Sequence, residues 1–270
     1  MKSRCISIVK PEERAINEDA VVAKSSCIAV ADGAGGGGVF AERWSQYLLE
    51  KLPDTPIISF EQLDNWVDGI WEQYYNDCEQ LAKVMGGGML LSKFYDEGSF
   101  STLAAIWEHE GKILWCCYGD SVAFHYNRKT NELQCSIISL AEFDNPPYLI
   151  SCNDPLKNEG FSCGEFDRTE NSIYFVASDA LAHYILMMYM ASHLNDNAGA
   201  LASAINEHSK NSAYVRTAML LRNVDFDRTL TTLLNCIGHK TNMERHLEKL
   251  RKQHLLAIDD YSIAVFYVKM

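Results

Sequence analysis

The sequence predicts an α+β domain built from layers of strands and helices. Short apolar runs that end at turn residues recur along the chain and are typical of strands. Two long stretches, at about 40–85 and 197–255, instead carry apolar residues at helical spacing. The last recognisable element is a strand at 261–269. Because 47% of the 270 residues are hydrophobic, the chain can bury one large core, and we expect a single domain over residues 1–270.

The first half of the chain predicts strands on both sides of a helical block. Strands are expected at 20–24 and 27–31, around the turn Ser25-Ser26. The helical block extends from 40 to about 85, and three glycines at 86–88 are expected to end it. Two strand pairs follow, first at 101–108 and 112–118, then at 122–126 and 133–139.

The second half predicts more helix than strand. Residues 141–171 are expected to form mostly loop. A strong strand at 172–177 leads directly into a helix from 181 to about 193. Residues 197–255 are helical in pattern, with a break at 223–227, and the strand at 261–269 follows them.

The composition favours a soluble protein of a reducing compartment. A formal net charge of -12 argues against a nucleic-acid partner, because nucleic-acid binding requires clustered Lys and Arg. The acidic balance is compatible with cation binding, although solubility is the simpler reason for it. The nine cysteines include no CxxC pair, so neither a zinc knuckle nor a disulfide framework is indicated. We therefore expect reduced thiols and a cytoplasmic location.

No membrane partner is expected. Residues 1–7 lack the apolar core of a signal peptide. The longest apolar-rich stretch, 177–191, contains Asp179 and His183 and is too short to span a bilayer. The sequence does not determine the oligomeric state.

Five aspartates each stand at the beginning or the end of an expected strand: Asp19, Asp32, Asp120, Asp179 and Asp259. Strand ends at one rim of a sheet can gather carboxylates that are distant in sequence, and such carboxylates repel one another unless a hard cation neutralises them. Mg²⁺ or Mn²⁺ with several waters suits such a site. For any one aspartate a turn or a helix cap is the simpler explanation. The five together favour a metal site.

A glycine-rich run at 33–38 lies between an expected strand and the helical block. It lacks the Gly-Lys-Ser/Thr of a P-loop and the context of a dinucleotide-binding GxGxxG. Two alternatives stay open: a loop that cradles a phosphate, or a flexible turn that lets the backbone approach a metal.

An ordered set of short motifs resembles the PPM (PP2C-type) metal-dependent protein serine/threonine phosphatases. Arg-Ala-Ile-Asn-Glu-Asp-Ala at 14–20 and Val-Ala-Asp-Gly-Ala-Gly-Gly at 30–36 are similar to the opening motifs of this family. Gly-Ser-Phe-Ser-Thr-Leu at 98–103, Gly-Asp-Ser at 119–121, Ser-Asp-Ala-Leu at 178–181 and Asp-Asp-Tyr-Ser at 259–262 follow in the family's order. Each motif is common alone, but the ordered set, covering about residues 10–268, is specific.

The resemblance implies a PP2C-like β-sandwich flanked by helix pairs, a four-layer αββα arrangement. It also implies a centre of two Mn²⁺ or Mg²⁺ ions at one edge of the sandwich. By position, Asp32 bridges both ions and the carbonyl of Gly33 binds one of them. Asp179 and Asp259 complete the other ion's ligands.

The remaining motif residues carry supporting roles by the same resemblance. Glu18 and Asp19 hold metal-bound waters, and Asp120 belongs to a weaker third-metal position. Arg14 grips the phosphate of a phosphorylated protein substrate, which suits a bidentate guanidinium. A water activated by two cations attacks phosphorus in line while Arg14 stabilises the developing charge. The catalytic residues implied are Arg14 and Asp32.

Three positions depart from the family pattern. Ala180 replaces the glycine of Ser-Asp-Gly-Leu, which is tolerable if its φ is negative. His183 stands where an acidic residue is usual, which weakens the third metal. Ala34 occupies a position that is often His or Met. His183 and His125 are candidate proton donors to the leaving oxygen, although a structural role is the simpler interpretation of each.

The segment at about 195–257 is expected to be a helical insertion. Its basic residues at 240–252 suit a solvated helix face or, as an alternative, a docking surface. Two other functions also remain open for the whole chain. One is a catalytically inactive regulatory or scaffold protein on the same fold, and the other is a phosphohydrolase of small molecules.

Overall fold

The computed structural model of the chain describes residues 2–36, 38–85, 87–137, 139–206 and 208–267. The first half begins with three strands, which are β1 (Lys2–Ile8), β2 (Ala20–Ala23) and β3 (Cys27–Ala31). Four helices follow: α1 (Ala41–Lys51), α2 (Phe60–Asp68), α3 (Trp71–Met85) and α4 (Gly87–Glu97).

The middle of the chain is mostly strand. It contains β4 (Phe100–Ser101), β5 (Leu103–His109), β6 (Lys112–Tyr118), β7 (Val122–Asn127), β8 (Glu132–Cys135), β9 (Ile150–Ser151), β10 (Phe161–Phe166) and β11 (Ser172–Ala177). Five helices follow: α5 (Asp179–Ser192), α6 (Leu194–Ser203), α7 (Ser212–Met219), α8 (Phe226–Cys236) and α9 (Lys240–Lys252). The strand β12 (Tyr261–Tyr267) comes after them.

Two five-stranded sheets form the centre of the fold. One has the order β1-β12-β11-β7-β8 and the other the order β10-β6-β5-β3-β2. All neighbouring strands in both sheets are antiparallel. Alternate residues of β3 face opposite ways, as strand geometry requires. Ile28 and Val30 pack between the sheets, whereas Ala29 and Ala31 pack under helices.

Helices cover the outer face of each sheet. Trp44 of α1, Leu63 of α2 and Phe94 of α4 are buried on the sheet that contains β5. Leu181 of α5 and Leu247 of α9 are buried on the sheet that contains β12. The order of layers is therefore helix, sheet, sheet, helix, which confirms the four-layer αββα sandwich within the α+β class.

The apolar-rich stretch before residue 191 is a buried helix. Eleven of the fourteen residues of α5 are buried, because α5 is covered by its own sheet on one side and by α6, α7 and α8 on the other. A helix covered on all sides needs no polar face. No helix in the described part of the chain is both long and apolar enough to cross a bilayer.

The expectation that residues 141–171 form mostly loop is wrong for β10, which pairs with β6 along its whole length. The strand contains Gly164, whose position lies opposite Trp115. A Cβ at Gly164 would lie 2.8 Å from the Trp115 ring, so the glycine leaves room for the indole. Because this edge strand contains glycine and polar residues, it has no continuous apolar run from which a strand would be predicted.

Three other expectations are adjusted. The block at 40–85 is three helices, because Pro53 and Pro56 separate α1 from α2 and Gly69 ends α2. The glycines at 86–88 do not end the helical region, since α4 includes Gly87 and Gly88; Gly86 lies outside the described residues. The strand β1 was missed because Lys2 and Arg4 interrupt its apolar pattern. That α6–α9 are an insertion stays a prediction.

Candidate metal centre

The five aspartates lie at the ends of strands, as expected. Asp32 and Asp120 follow β3 and β6, and Asp179 begins α5 directly after β11. Asp19 and Asp259 precede β2 and β12. These strands come from both sheets, so the cluster lies where ends of the two sheets meet.

The carboxylates are close enough to perturb one another. Burial raises the pKa of Asp32 well above its usual value, and the charges of Asp19, Asp179, Asp120 and Asp259 raise it further. Burial raises the pKa of Asp179 in the same way, with the charges of Asp120 and Asp259 adding to it. The fold therefore brings all five aspartates into one acidic cluster.

The side chains of this acidic cluster do not form a complete coordination sphere for a metal ion. Among the described residues, no three His, Cys, Asp or Glu side chains are arranged so that they could hold one metal ion. Mutual repulsion links the carboxylates electrostatically, but electrostatic influence extends further than a metal–oxygen bond of about 2.0–2.6 Å. The donor atoms are all oxygen, which is the chemistry that Mg²⁺ and Mn²⁺ prefer.

Asp19 is the most deeply enclosed member of the cluster. Asp19 is only 4% exposed, and neither oxygen of its carboxylate has a hydrogen-bond partner. Burial raises its pKa to about 7, against the nearby Ser262 and Ser178 hydroxyls, which lower it. Since Ser262 Oγ donates instead to Ser7, the Asp19 oxygens are left for another ligand. A buried carboxylate without partners is costly unless a cation or a proton neutralises it.

The turn that follows β3 is fixed by the segment at 98–103. The amide of Thr102 donates to the carbonyl of Asp32 at 2.8 Å, and Ser101 Oγ donates to the same oxygen at 2.9 Å. The Gly33 amide donates to the carbonyl of Glu18 at 3.2 Å. A Cβ at Gly33 would lie 2.5 Å from that carbonyl oxygen and 2.8 Å from the carbonyl oxygen of Ala41. Only glycine fits this close approach of three backbone segments.

The same contacts argue against a phosphate-binding loop in the first part of the glycine-rich run at 33–38. The amides of Gly33 and Ala34 donate to the backbone carbonyls of Glu18 and Phe100. They are therefore not free to bind a phosphate. Gly35 packs against the carboxylate of Glu18, so these first glycines serve close packing, while Gly37 lies outside the described residues.

Glu18 lies beside the cluster and is paired with Lys10. The Lys10 ammonium donates to Glu18 Oε2 at 3.3 Å. Burial raises the pKa of Glu18, while Lys10 acts in the opposite direction. Glu18 thus places a further carboxylate, paired with a lysine, at the rim of the acidic cluster.

Asp260 is a structural residue that the motif search did not single out. One of its oxygens accepts from the amide of Lys10 at 2.7 Å, and the other accepts from the amide of Glu18 at 2.8 Å. Its neighbour Asp259 accepts from the amide of Asp260 and remains half-buried at the cluster. The signal available in the sequence was the second acidic residue directly after Asp259.

Arg14 is exposed and has a left-handed backbone, with φ of 63°. Within the described residues its guanidinium makes no hydrogen bond and no ion pair. The side chain is therefore available to an anionic ligand, and in the described part of the chain it forms no ion pair with the five aspartates.

The two histidines differ. Both ring nitrogens of His125 are engaged, one with Gln134 Oε1 at 3.0 Å and one with Ser172 Oγ at 2.7 Å. This favours the structural interpretation of His125. His183 is buried and packs edge-on against Phe143, but its Nε2 has no partner. Ala180 is helical and has no positive φ, so its methyl group is tolerated as expected.

Solved structures with the same fold cover nearly the whole chain. The catalytic domain of the serine/threonine phosphatase PstP, in complex with two manganese ions, is 17% identical, with a TM-score of 0.52 over 98% of this chain and 96% of that one. Stp1, a serine/threonine phosphatase from Staphylococcus aureus, is 13% identical, with a TM-score of 0.54 over 100% and 95%. PppA from Pseudomonas aeruginosa is 14% identical, with a TM-score of 0.51 over 98% and 96%.

Sequence comparison alone finds less: no family model matches the chain, and no curated protein matches it. The likeness is therefore one of architecture, at identities where few side chains are shared. The ordered motifs and the solved structures agree on that architecture, and the chain has the fold of the PPM-type serine/threonine phosphatases.

Proposed function

We propose that the protein is a metal-dependent serine/threonine phosphatase that removes phosphate from phosphorylated proteins. The observation that carries the proposal is the buried acidic cluster on this fold, with both oxygens of Asp19 lacking a partner. A cluster of buried carboxylates is stabilised when divalent cations neutralise it. The two manganese ions of PstP support the same choice of cation here.

The oxygen donors of the acidic cluster have the chemistry that Mn²⁺ and Mg²⁺ prefer, and we propose that two such ions bind there. Asp32, the Gly33 carbonyl, Asp179 and Asp259 would hold them directly. Glu18 and Asp19 would act through water, and Asp120 would serve a third position. When bound, such ions lower the pKa of a water and stabilise charge on phosphoryl oxygens. The chain's own part is to fix the carboxylates, through the hydrogen bonds that lock the turn at Asp32.

Arg14 is proposed as the residue that binds the substrate phosphate. Its guanidinium has no partner among the described residues, and Arg binds phosphate through two parallel N–H donors. No nucleophilic side chain is required, because the attacking group is water. We propose a cytoplasmic location on the basis of nine free cysteines.

The proposal is tested by hydrolysis of p-nitrophenyl phosphate and of a phosphothreonine peptide, with Mn²⁺, with Mg²⁺ and with EDTA. We expect turnover only with metal, and Asp179→Asn should lower kcat/KM by about 100-fold or more because one ligand charge is lost. The matched control is Asp54→Asn, an exposed aspartate paired only with Lys24, which should keep full activity. No turnover by the folded protein with any metal would favour the catalytically inactive alternative.

A further inference from the structure

A cavity of about 280 Å³ opens beside the acidic cluster. Asp179 and Asp259 form one part of its lining. Lys210 and Asn211, which precede α7, and Tyr214 of α7 form another part. His183 and Phe143 also contribute to the lining. The proposed metal site and this helical segment therefore share one cavity.

The backbone on both sides of Lys210 is held in place. Ser209 Oγ donates to Asp144 Oδ1 at 2.8 Å, and Asn211 Nδ2 donates to the same oxygen at 3.3 Å. The amide of Asn211 also donates to Ser209 Oγ at 3.1 Å. The carboxylate of Asp144 thus fixes the two residues that flank Lys210, so the backbone position of Lys210 at the cavity is defined.

Three polar groups in the cavity lining have no partner. The ammonium of Lys210 makes no ion pair or hydrogen bond with the described residues, and neither does the Tyr214 hydroxyl. His183 is only 5% exposed, and its Nε2 has no hydrogen-bond partner. A buried polar atom without a partner is costly, so His183 indicates that the cavity receives a polar group.

Lys210 indicates the sign of that group, because the two carboxylates of the lining, Asp179 and Asp259, belong to the proposed metal site. Lys210 is the only Lys or Arg that lines the cavity, and no charged group within ion-pair distance offsets it in the described part of the chain. Because the protein has a net charge of -12, an acidic ligand needs such a local cation to approach.

We propose that this cavity binds a second anionic group of the substrate, a carboxylate or a second phosphate on a residue next to the one being dephosphorylated. Lys210 supplies the charge, and Tyr214 and His183 supply polar contacts. The inference deepens the proposed function, since it names the substrate class of the same site. It assigns Lys210 a role in substrate binding and leaves the attack on phosphorus to the acidic cluster.

Kinetics on a set of phosphothreonine peptides tests this. The peptides carry Glu, phosphoserine or Gln at the position before or after phosphothreonine. We expect kcat/KM to be roughly fivefold higher with Glu or phosphoserine than with Gln on at least one side, as one solvent-exposed ion pair provides. In Lys210→Met that ratio should fall to about one, whereas Lys210→Arg should keep part of it. The Glu and phosphoserine arms distinguish a carboxylate from a phosphate as the preferred group.

The matched control is Lys129→Met, which removes an exposed lysine in the turn between β7 and β8. It should leave the preference for acidic neighbours unchanged. Equal kcat/KM for acidic and Gln peptides in the unchanged protein would overturn the proposal. So would a preference that survives in Lys210→Met.

A binding measurement separates this inference from catalysis. Fluorescent peptides that carry a non-hydrolysable phosphonate in place of the phosphate are titrated into the Mn²⁺-loaded protein, and anisotropy is recorded. If the protein hydrolyses nothing, tighter binding of the Glu peptide that is lost in Lys210→Met still supports the subsite. Equal binding of Glu and Gln peptides would exclude it whatever the catalytic result.

Discussion

At the acidic cluster, close backbone contacts determine which residue a position can hold. Gly33 is the clearest case, because two carbonyl oxygens occupy the space that a side chain would need. Gly36, only three positions further along the same run, has no atom within 4 Å of the place where its Cβ would lie. Glycines that look alike in the sequence therefore have different structural roles.

Alanine substitutions separate these two roles. Gly33→Ala forces the turn at Asp32 to move, and we expect a loss of unfolding free energy of about 1–3 kcal/mol, as for overpacking of a well-packed interior. Weaker Mn²⁺ binding should accompany it, since Asp32 moves with the turn. Gly36→Ala is the control and should change unfolding free energy by less than about 0.5 kcal/mol. Urea denaturation measures both, and equal losses would contradict the argument.

At the scale of elements, the helices α6–α9 belong to the core even though their function is open. Leu201, Val215, Leu230 and Leu247, one from each helix, are buried in the same cluster as Phe175 and Val265. The segment is thus a structural layer of the domain.

Truncation in α9 tests this. Leu247 is fully buried, and Leu247→Ala should lower the free energy of unfolding by about 2–5 kcal/mol because a cavity is left. Leu220→Ala is the control; Leu220 lies just after α7 and is 81% exposed, so its loss should cost less than about 0.5 kcal/mol. If the free energy of unfolding of Leu247→Ala equalled that of the control, α9 would not be part of the cooperatively folded core.

The sequence predicts elements well where one local pattern is sufficient. The strands at 27–31, 112–118 and 172–177 agree with β3, β6 and β11, because their apolar runs end sharply at turn residues. The aspartates after them follow from the same reasoning. By contrast, β1 and β10 depend on partners across the sheet. Asp260 and the residue before Lys210, Ser209, depend on contacts with residues far away in sequence. No local pattern specifies those contacts.

For the whole molecule, the acidic cluster makes stability depend on pH and on cations. In metal-free protein, burial raises the pKa of Asp19 to about 7 and that of Asp120 to about 6, above the value of 3.8 that applies to unfolded chains. The folded state then holds protons that the unfolded state has already released. The stability that these two carboxyl groups contribute is therefore fully present below about pH 4 and is lost as pH rises to about 7.

Thermal melts in EDTA between pH 4.5 and 7.5 measure this dependence. We expect the decrease in Tm to be smaller in Asp19→Asn, because one of the raised pKa values is removed. Asp54→Asn should melt with the unchanged pH dependence. Added Mn²⁺ should raise Tm more at pH 7.5 than at pH 4.5, by several degrees if the ion is at about 100 times its Kd. Identical pH dependence in the unchanged protein and Asp19→Asn would contradict this account.

The contacts of Asp260 also determine when the site can form during synthesis. Its carboxylate holds amides that lie 250 and 242 positions earlier in the chain, and β1 pairs only with β12. Until residues 260–267 have left the ribosome, the loop that carries Glu18 and Asp19 lacks the two hydrogen bonds to Asp260, and β1 lacks its partner strand β12. Such late, distant pairings are slow to form and leave a nascent chain exposed to aggregation. The amino-terminal motifs, although made first, are among the last to reach their final places.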